Sequence, residues 1–122
     1  MRQAHSNDIP QSLEYLGMKE WAVRWNVQID ITKEEEEGIT SYIYDEEIFN
    51  EEPDYGLFVT TYLRNYYSLD QENALKSNML TAMLTPEDEK SKEILAEWKE
   101  FEIHRNEAKM YGRQIFNVEY GY

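Results

Sequence analysis

A chain of 122 residues is long enough for one domain with a real core, and at 41% hydrophobic and 14% aromatic it has more anchors than a disordered chain would. It contains no cysteine, which excludes disulfides, thiolate metal sites and cysteine catalysis. The formal net charge of −13 disfavours direct binding to nucleic-acid phosphates or acidic membranes and favours a basic partner.

That charge is unevenly placed. Ten of the 25 acids and none of the 12 bases fall between Glu34 and Asp54, so the remainder of the chain is nearly balanced. No apolar run approaches the roughly 18 to 20 residues of a membrane span. Asn7, Asp8, Pro10 and Gln11 interrupt the start of the chain where a signal peptide would be continuously apolar, so a cytoplasmic protein is expected.

Residues 1–17 read as an N-terminal arm or short helix, with Pro10 suited to a first helical position and Gly17 to a position just past the end. Trp21 to Thr32 carries the clearest pattern. Trp21, Val23, Trp25, Val27, Ile29 and Ile31 take every odd position, which predicts a long β-strand with those side chains inside. Lys33 to Gly38 is an acidic, glycine-ended connection, and Ile39 to Phe49 resumes with strand formers, so a hairpin with a longer loop is expected.

Pro53-Asp54 opens a helix in which Tyr55, Phe58, Val59, Tyr62, Leu63 and Tyr66 recur at spacings of three and four. Ser68 to Gln71 has the form of a capping box, opening a second helix to about Leu84 with Leu75, Met79, Ala82 and Met83 inward. Thr85-Pro86-Glu87-Asp88 predicts the start of a third and longest helix, to Phe116, along which Ile94, Trp98, Phe101, Arg105, Ala108, Gly112 and Ile115 alternate at fours and threes. Val118, Tyr120 and Tyr122 alternate as a third short strand would. The reading is a single α+β domain over 1–122: an antiparallel hairpin, with that third strand, packed against three helices. Trp25, Val27 and Ile29 are expected to meet Phe58, Tyr62, Trp98 and Phe101 in one core.

Pro53-Asp54-Tyr55, Arg64-Asn65-Tyr66-Tyr67-Ser68 and Arg105-Asn106-Glu107-Ala108-Lys109, in that order, resemble small uncharacterised proteins of bacterial prophages and mobile elements. The resemblance covers Trp21 to Phe116 and implies a phage-like setting. It brings no activity and no functional residues with it.

No catalytic constellation stands out. His5 and His104 are the only histidines, and five glycines form neither a phosphate-cradling loop nor a dinucleotide fingerprint. Glu100, His104 and Glu107 share a helical face with metal-like spacing, but a single histidine without a second ligand-bearing segment reads better as a solvated face. Glu34 to Glu37 lacks the register of a calcium loop. No enzyme, metal or cofactor is therefore expected. The candidate partner-binding residues are Tyr42, Tyr44, Glu46, Glu47, Glu51, Glu52 and Asp54, where tyrosines suited to interfaces adjoin uncompensated acids. They suggest an acidic structural or protein-interaction module with a basic protein partner, the alternative being a DNA-mimic inhibitor of a basic nucleic-acid-binding protein. The terminal segments offer Ile9, Leu13, Tyr15 and Leu16 for self-association.

Overall fold

A computed structural model describes residues 1–117. The elements run β1 (Arg2–Ser6), β2 (Leu13–Gly17), β3 (Glu20–Ile29), α1 (Ile31–Glu37), β4 (Tyr42–Phe49), α2 (Tyr55–Arg64), α3 (Leu69–Ala82) and α4 (Glu89–Phe116). The protein is α+β, with one antiparallel sheet of order β1-β4-β3-β2. It divides into two compact units: a sheet unit, Met1 to Tyr55 with Tyr111 to Asn117, and a helical unit from Gly56 to Met110. The terminal strand expected beyond residue 117 lies outside the described residues.

The expected hairpin is the centre of the sheet: β3 pairs with β4, Trp21 opposite Phe49 and Trp25 opposite Asp45. The arm or short helix expected over residues 1–17 is instead the two edge strands. β1 pairs with β4 and β2 with β3. Their signal is weak because β1 is short and polar, and Pro10 and Gly17 mimic helix punctuation. Gly17 in fact opens a turn, since Gly17, Met18 and Lys19 have φ of 92°, 52° and 67°. Positive φ at both residues between the strands is what a type I′ hairpin demands, usually met by Asn-Gly rather than Met-Lys.

The alternation of β3 holds only to Trp25. Between the pairs Trp25–Asp45 and Gln28–Ile43, β3 has two residues where β4 has one, which is a β-bulge. Asn26 takes the left-handed conformation, φ 55°, that asparagine tolerates better than branched residues do. The extra residue reverses the facing of everything after it. Ala22, Val23 and Trp25 are buried, but Val27 and Ile29, expected in the core, are 40% and 48% exposed. Past Ile29 the acidic connection is the seven-residue α1 rather than a plain loop. Asp30 caps it by accepting from the Lys33 amide, and left-handed Gly38 ends it.

One ion network crosses all four strands. Arg2 of β1, Glu46 of β4, Arg24 of β3 and Glu14 of β2 alternate in sign in the order of the strands. Arg24 Nε lies 2.7 Å from Glu46 Oε2, its NH1 2.8 Å from Glu14 Oε1, and Arg2 Nε 2.9 Å from Glu46 Oε1. Glu46 is only 4% exposed. Burial alone would raise its pKa, but the hydrogen bonds from Arg24 and Arg2 bring it below the usual carboxylate range. The Arg24 guanidinium also sits 6.0 Å from the centre of the buried Tyr44 ring.

The helices follow the predicted order. α2 buries Tyr55, Phe58, Tyr62 and Leu63, and α4 buries Phe101, Ala108 and Gly112, while Trp98 is half-buried and tilted against Phe101 at 5.2 Å. The capping box is present at α3: Ser68 Oγ accepts from the Gln71 amide, and Gln71 Oε1 from the Ser68 amide. On α3, Ala82 is buried but Met83, expected inward, is exposed. The start of α4 differs from expectation. Thr85 to Asp88 is a turn in which the Thr85 hydroxyl meets Ser91, and Asp88, not Thr85, accepts from the amide of Lys90.

Two outcomes follow for the sheet unit. Glu46→Ala should cost about 1.5–3 kcal/mol, because it removes one of the two carboxylates to which the largely buried Arg24 guanidinium donates, whereas Arg2→Ala should cost about 0–1 kcal/mol because Arg2 is mostly exposed; urea denaturation of the two variants measures the contrast. A carboxylate whose native pKa lies below its unfolded value contributes stability that is complete above the unfolded value and is lost as pH falls through the native one. Wild-type stability should therefore drop below about pH 4, and Glu46→Gln should flatten that acid limb. Separately, replacing Met18-Lys19 by Asn-Gly should stabilise by about 1 kcal/mol or more, read as a raised midpoint of thermal unfolding.

Candidate functional site

The helical unit contains a pocket of about 490 Å³, within the range of small-ligand sites. Three stretches of sequence build it. Spacings of three and four put Glu97, Glu100 and His104 on one face of α4. Gln71, Ala74, Leu75 and Asn78 line it from α3 by the same periodicity. Tyr66 and Tyr67 occupy the corner between α2 and the Ser68 cap. Gln71 is held in place by the capping box, so that wall is fixed by the same bonds that start α3.

The aromatic corner is ordered by ring contacts. Tyr66 stacks on His104 with centroids 4.2 Å apart and planes at 25°. Tyr67 meets His104 and Phe101 edge-on at 5.6 Å and 5.2 Å. Behind it the Tyr62 hydroxyl donates to Glu107 Oε2 at 3.1 Å, and the same oxygen lies 3.9 Å from His104 Nδ1. Burial first, then the neighbouring Tyr66 and the Glu107 carboxylate, push the Tyr62 phenol far above its ordinary pKa. Burial, then the charge of Glu100, raises that of Tyr67. Both phenols are protonated at neutral pH, and that of Tyr62 serves as the donor to Glu107.

The acids of this unit fall into two groups. Glu72 is buried and accepts from Lys76 at 2.8 Å and Arg64 at 3.2 Å; burial would raise its pKa, but those bonds lower it. Glu97 and Glu100 are exposed at the pocket, with no ion pair to a base among the described residues. No lysine or arginine lines the cavity. Its lining combines aromatic and apolar surface with the amides of Gln71 and Asn78 and the carboxylates of Glu97 and Glu100, a combination suited to an organic cation. Among the described residues no three His, Asp or Glu side chains converge as metal ligands would.

The residues singled out from sequence lie in the sheet unit, apart from this pocket. Tyr44 and Glu46 are buried and so are withdrawn from partner contact, Tyr44 under Arg24 and Glu46 inside the ion network. Glu47 pairs with the terminal amine of Met1, and Tyr42 is half-buried. Glu51, Glu52 and Asp54 are exposed in the segment before α2. Tyr66-Tyr67 and the Glu100/His104 face are far apart in the sequence, and no local pattern joins them. The usable signal was two adjacent tyrosines directly before a capping box, with Glu97, Glu100 and His104 in one helical register.

No helix among the described residues is long and apolar enough to cross a membrane. No protein-family model, curated protein or solved structure matches the chain.

The Tyr62 contact generates an outcome of its own. Tyr62→Phe should cost about 0.5–1.5 kcal/mol, one hydrogen bond to a partly exposed carboxylate. In a spectrophotometric alkaline titration the wild-type chain should keep one more tyrosine un-ionised until unfolding than the variant does at the same pH.

Proposed function

We propose that this chain is an acidic protein-interaction module of the cytoplasm, phage-encoded and without catalytic activity, whose partner is a basic protein. One observation carries the reading: the acids divide into those used by the fold and those left over. Glu46 and Glu72 are buried against arginine and lysine. Glu34, Glu35, Glu36 and Glu37 of α1, with Glu51 and Glu52, stand exposed with no basic side chain paired to them among the described residues. Uncompensated charge of one sign speeds encounter with a partner of the other sign and discourages self-association through that surface. A second copy of the chain would instead add at the outer edges of β1 or β2, the two edge strands of the sheet among the described residues.

The second reading is DNA mimicry, in which the four successive carboxylates of α1 stand in for phosphates. The two readings differ in what the acids displace. With the full chain immobilised, proteins retained from the native cell should be basic and should be released as salt rises from about 0.05 to about 0.2 M, across which screening shortens markedly. They should be lost from a variant with Glu34 to Glu37 changed to glutamine. Equal retention by that variant overturns the reading of α1. Competition between the chain and duplex DNA for the retained protein selects mimicry over a DNA-independent interface.

A further inference from the structure

We propose that the pocket of the helical unit binds a guanidinium group, presented either by an arginine side chain of another protein or by a small free guanidine. This goes beyond the proposed function, which rests on the acids of the sheet unit. The argument starts from what the cavity excludes. An anion would meet Glu97 and Glu100 with no base in the lining to offset them. A metal ion would find no converging set of three ligands among the described residues. A purely apolar ligand would desolvate two carboxylates without replacing their hydrogen bonds.

A guanidinium satisfies each wall at once. It is planar and weakly hydrated, stacks on aromatic faces, and donates a fork of N–H bonds to carboxylates. Tyr66 and His104 stack on each other at 4.2 Å, so a ligand in the pocket meets the pair from outside rather than between the rings, with Tyr67 edge-on beside them. Glu97 and Glu100 are one helical turn apart on α4, with Cβ atoms about 5–6 Å apart by helix geometry, a spacing that lets both face one cation. Ala74 and Leu75 provide apolar surface for the methylene stem that carries the group. The 490 Å³ volume exceeds what one guanidinium fills and leaves room for that stem. An ammonium has the charge but neither the plane nor the fork, so it should bind less well.

The test is titration of the full chain, followed by amide NMR shifts, with three probes: N-acetylarginine methylamide, agmatine, and the citrulline counterpart of the first, which keeps the shape and loses the charge. The arginine probe, agmatine or both should saturate in the millimolar range and shift Tyr66, Tyr67, Ala74, Glu100 and His104, while citrulline should bind at least about tenfold more weakly. Preference for the arginine amide over agmatine identifies a protein-borne group, and the reverse identifies a free guanidine. Glu97→Gln with Glu100→Gln, both exposed and expected to fold, should weaken binding about tenfold or more, whereas Glu93→Gln, on α4 outside the lining, should leave it within about twofold. Equal binding of citrulline, equal loss in Glu93→Gln, or saturating shifts confined to residues outside the pocket overturns the proposal, as does the absence of any saturating shift.

Discussion

The sheet unit depends on one buried carboxylate. Glu46 sits near the middle of β4 with Arg2 and Arg24 as its cross-strand neighbours, and Arg24 reaches on to Glu14. A charge with so little solvent is tolerable only when its lone pairs are filled, and here both oxygens accept from guanidinium groups. The arrangement also specifies register. A slip of one residue along β4 would send Glu46 to the opposite face and leave Arg24 without its main partner. The alternating signs across the strands therefore oppose misregistered pairings more strongly than the short, polar β1 does by itself.

That constraint shapes what remains for function. Glu46 is buried against Arg24 and Arg2, and Glu14 pairs with Arg24 from the edge strand. The helical unit treats its acids in the same way. Glu72 ties the end of α2 to α3 through Arg64 and also pairs with Lys76 on its own helix, and Glu107 receives the Tyr62 hydroxyl. Among the acids with no ion pair to a base among the described residues are the α1 row with Glu51 and Glu52 in one unit, and Glu97 and Glu100 in the other. Net charge overstates the acidic surface available, and pairing decides where it is.

The pocket shows how a structural device sets out a site. The capping box that starts α3 fixes Ser68 and Gln71, and so fixes the corner where Tyr66 and Tyr67 leave α2. Adjacent tyrosines cannot both enter a core, and here one stacks on His104 while the other turns its edge to His104 and Phe101. Burial, then the charge of Glu100, raises the pKa of Tyr67, and Glu97 and Glu100 are the carboxylates of the lining. Its walls thus combine ring faces, hydroxyls and carboxylates without any cation of their own.

Sequence alone determined the elements whose signals are local and cooperative. The α+β class, the β3–β4 hairpin, the order of the three longer helices and the capping box at Ser68 were all legible, because periodicity and caps act within a few residues. The edge strands were not. β1 has no apolar alternation, and it is a strand only because β4 supplies its hydrogen bonds and Glu46 its ion pair. The bulge at Asn26 was likewise hidden, since a bulge exists only relative to a partner strand, and the alternation that would have buried Val27 and Ile29 ends there. The partnering of charges was decided by the same non-local pairing. Glu46 and Glu51 look alike in the sequence, yet register buries one against two arginines and leaves the other in water.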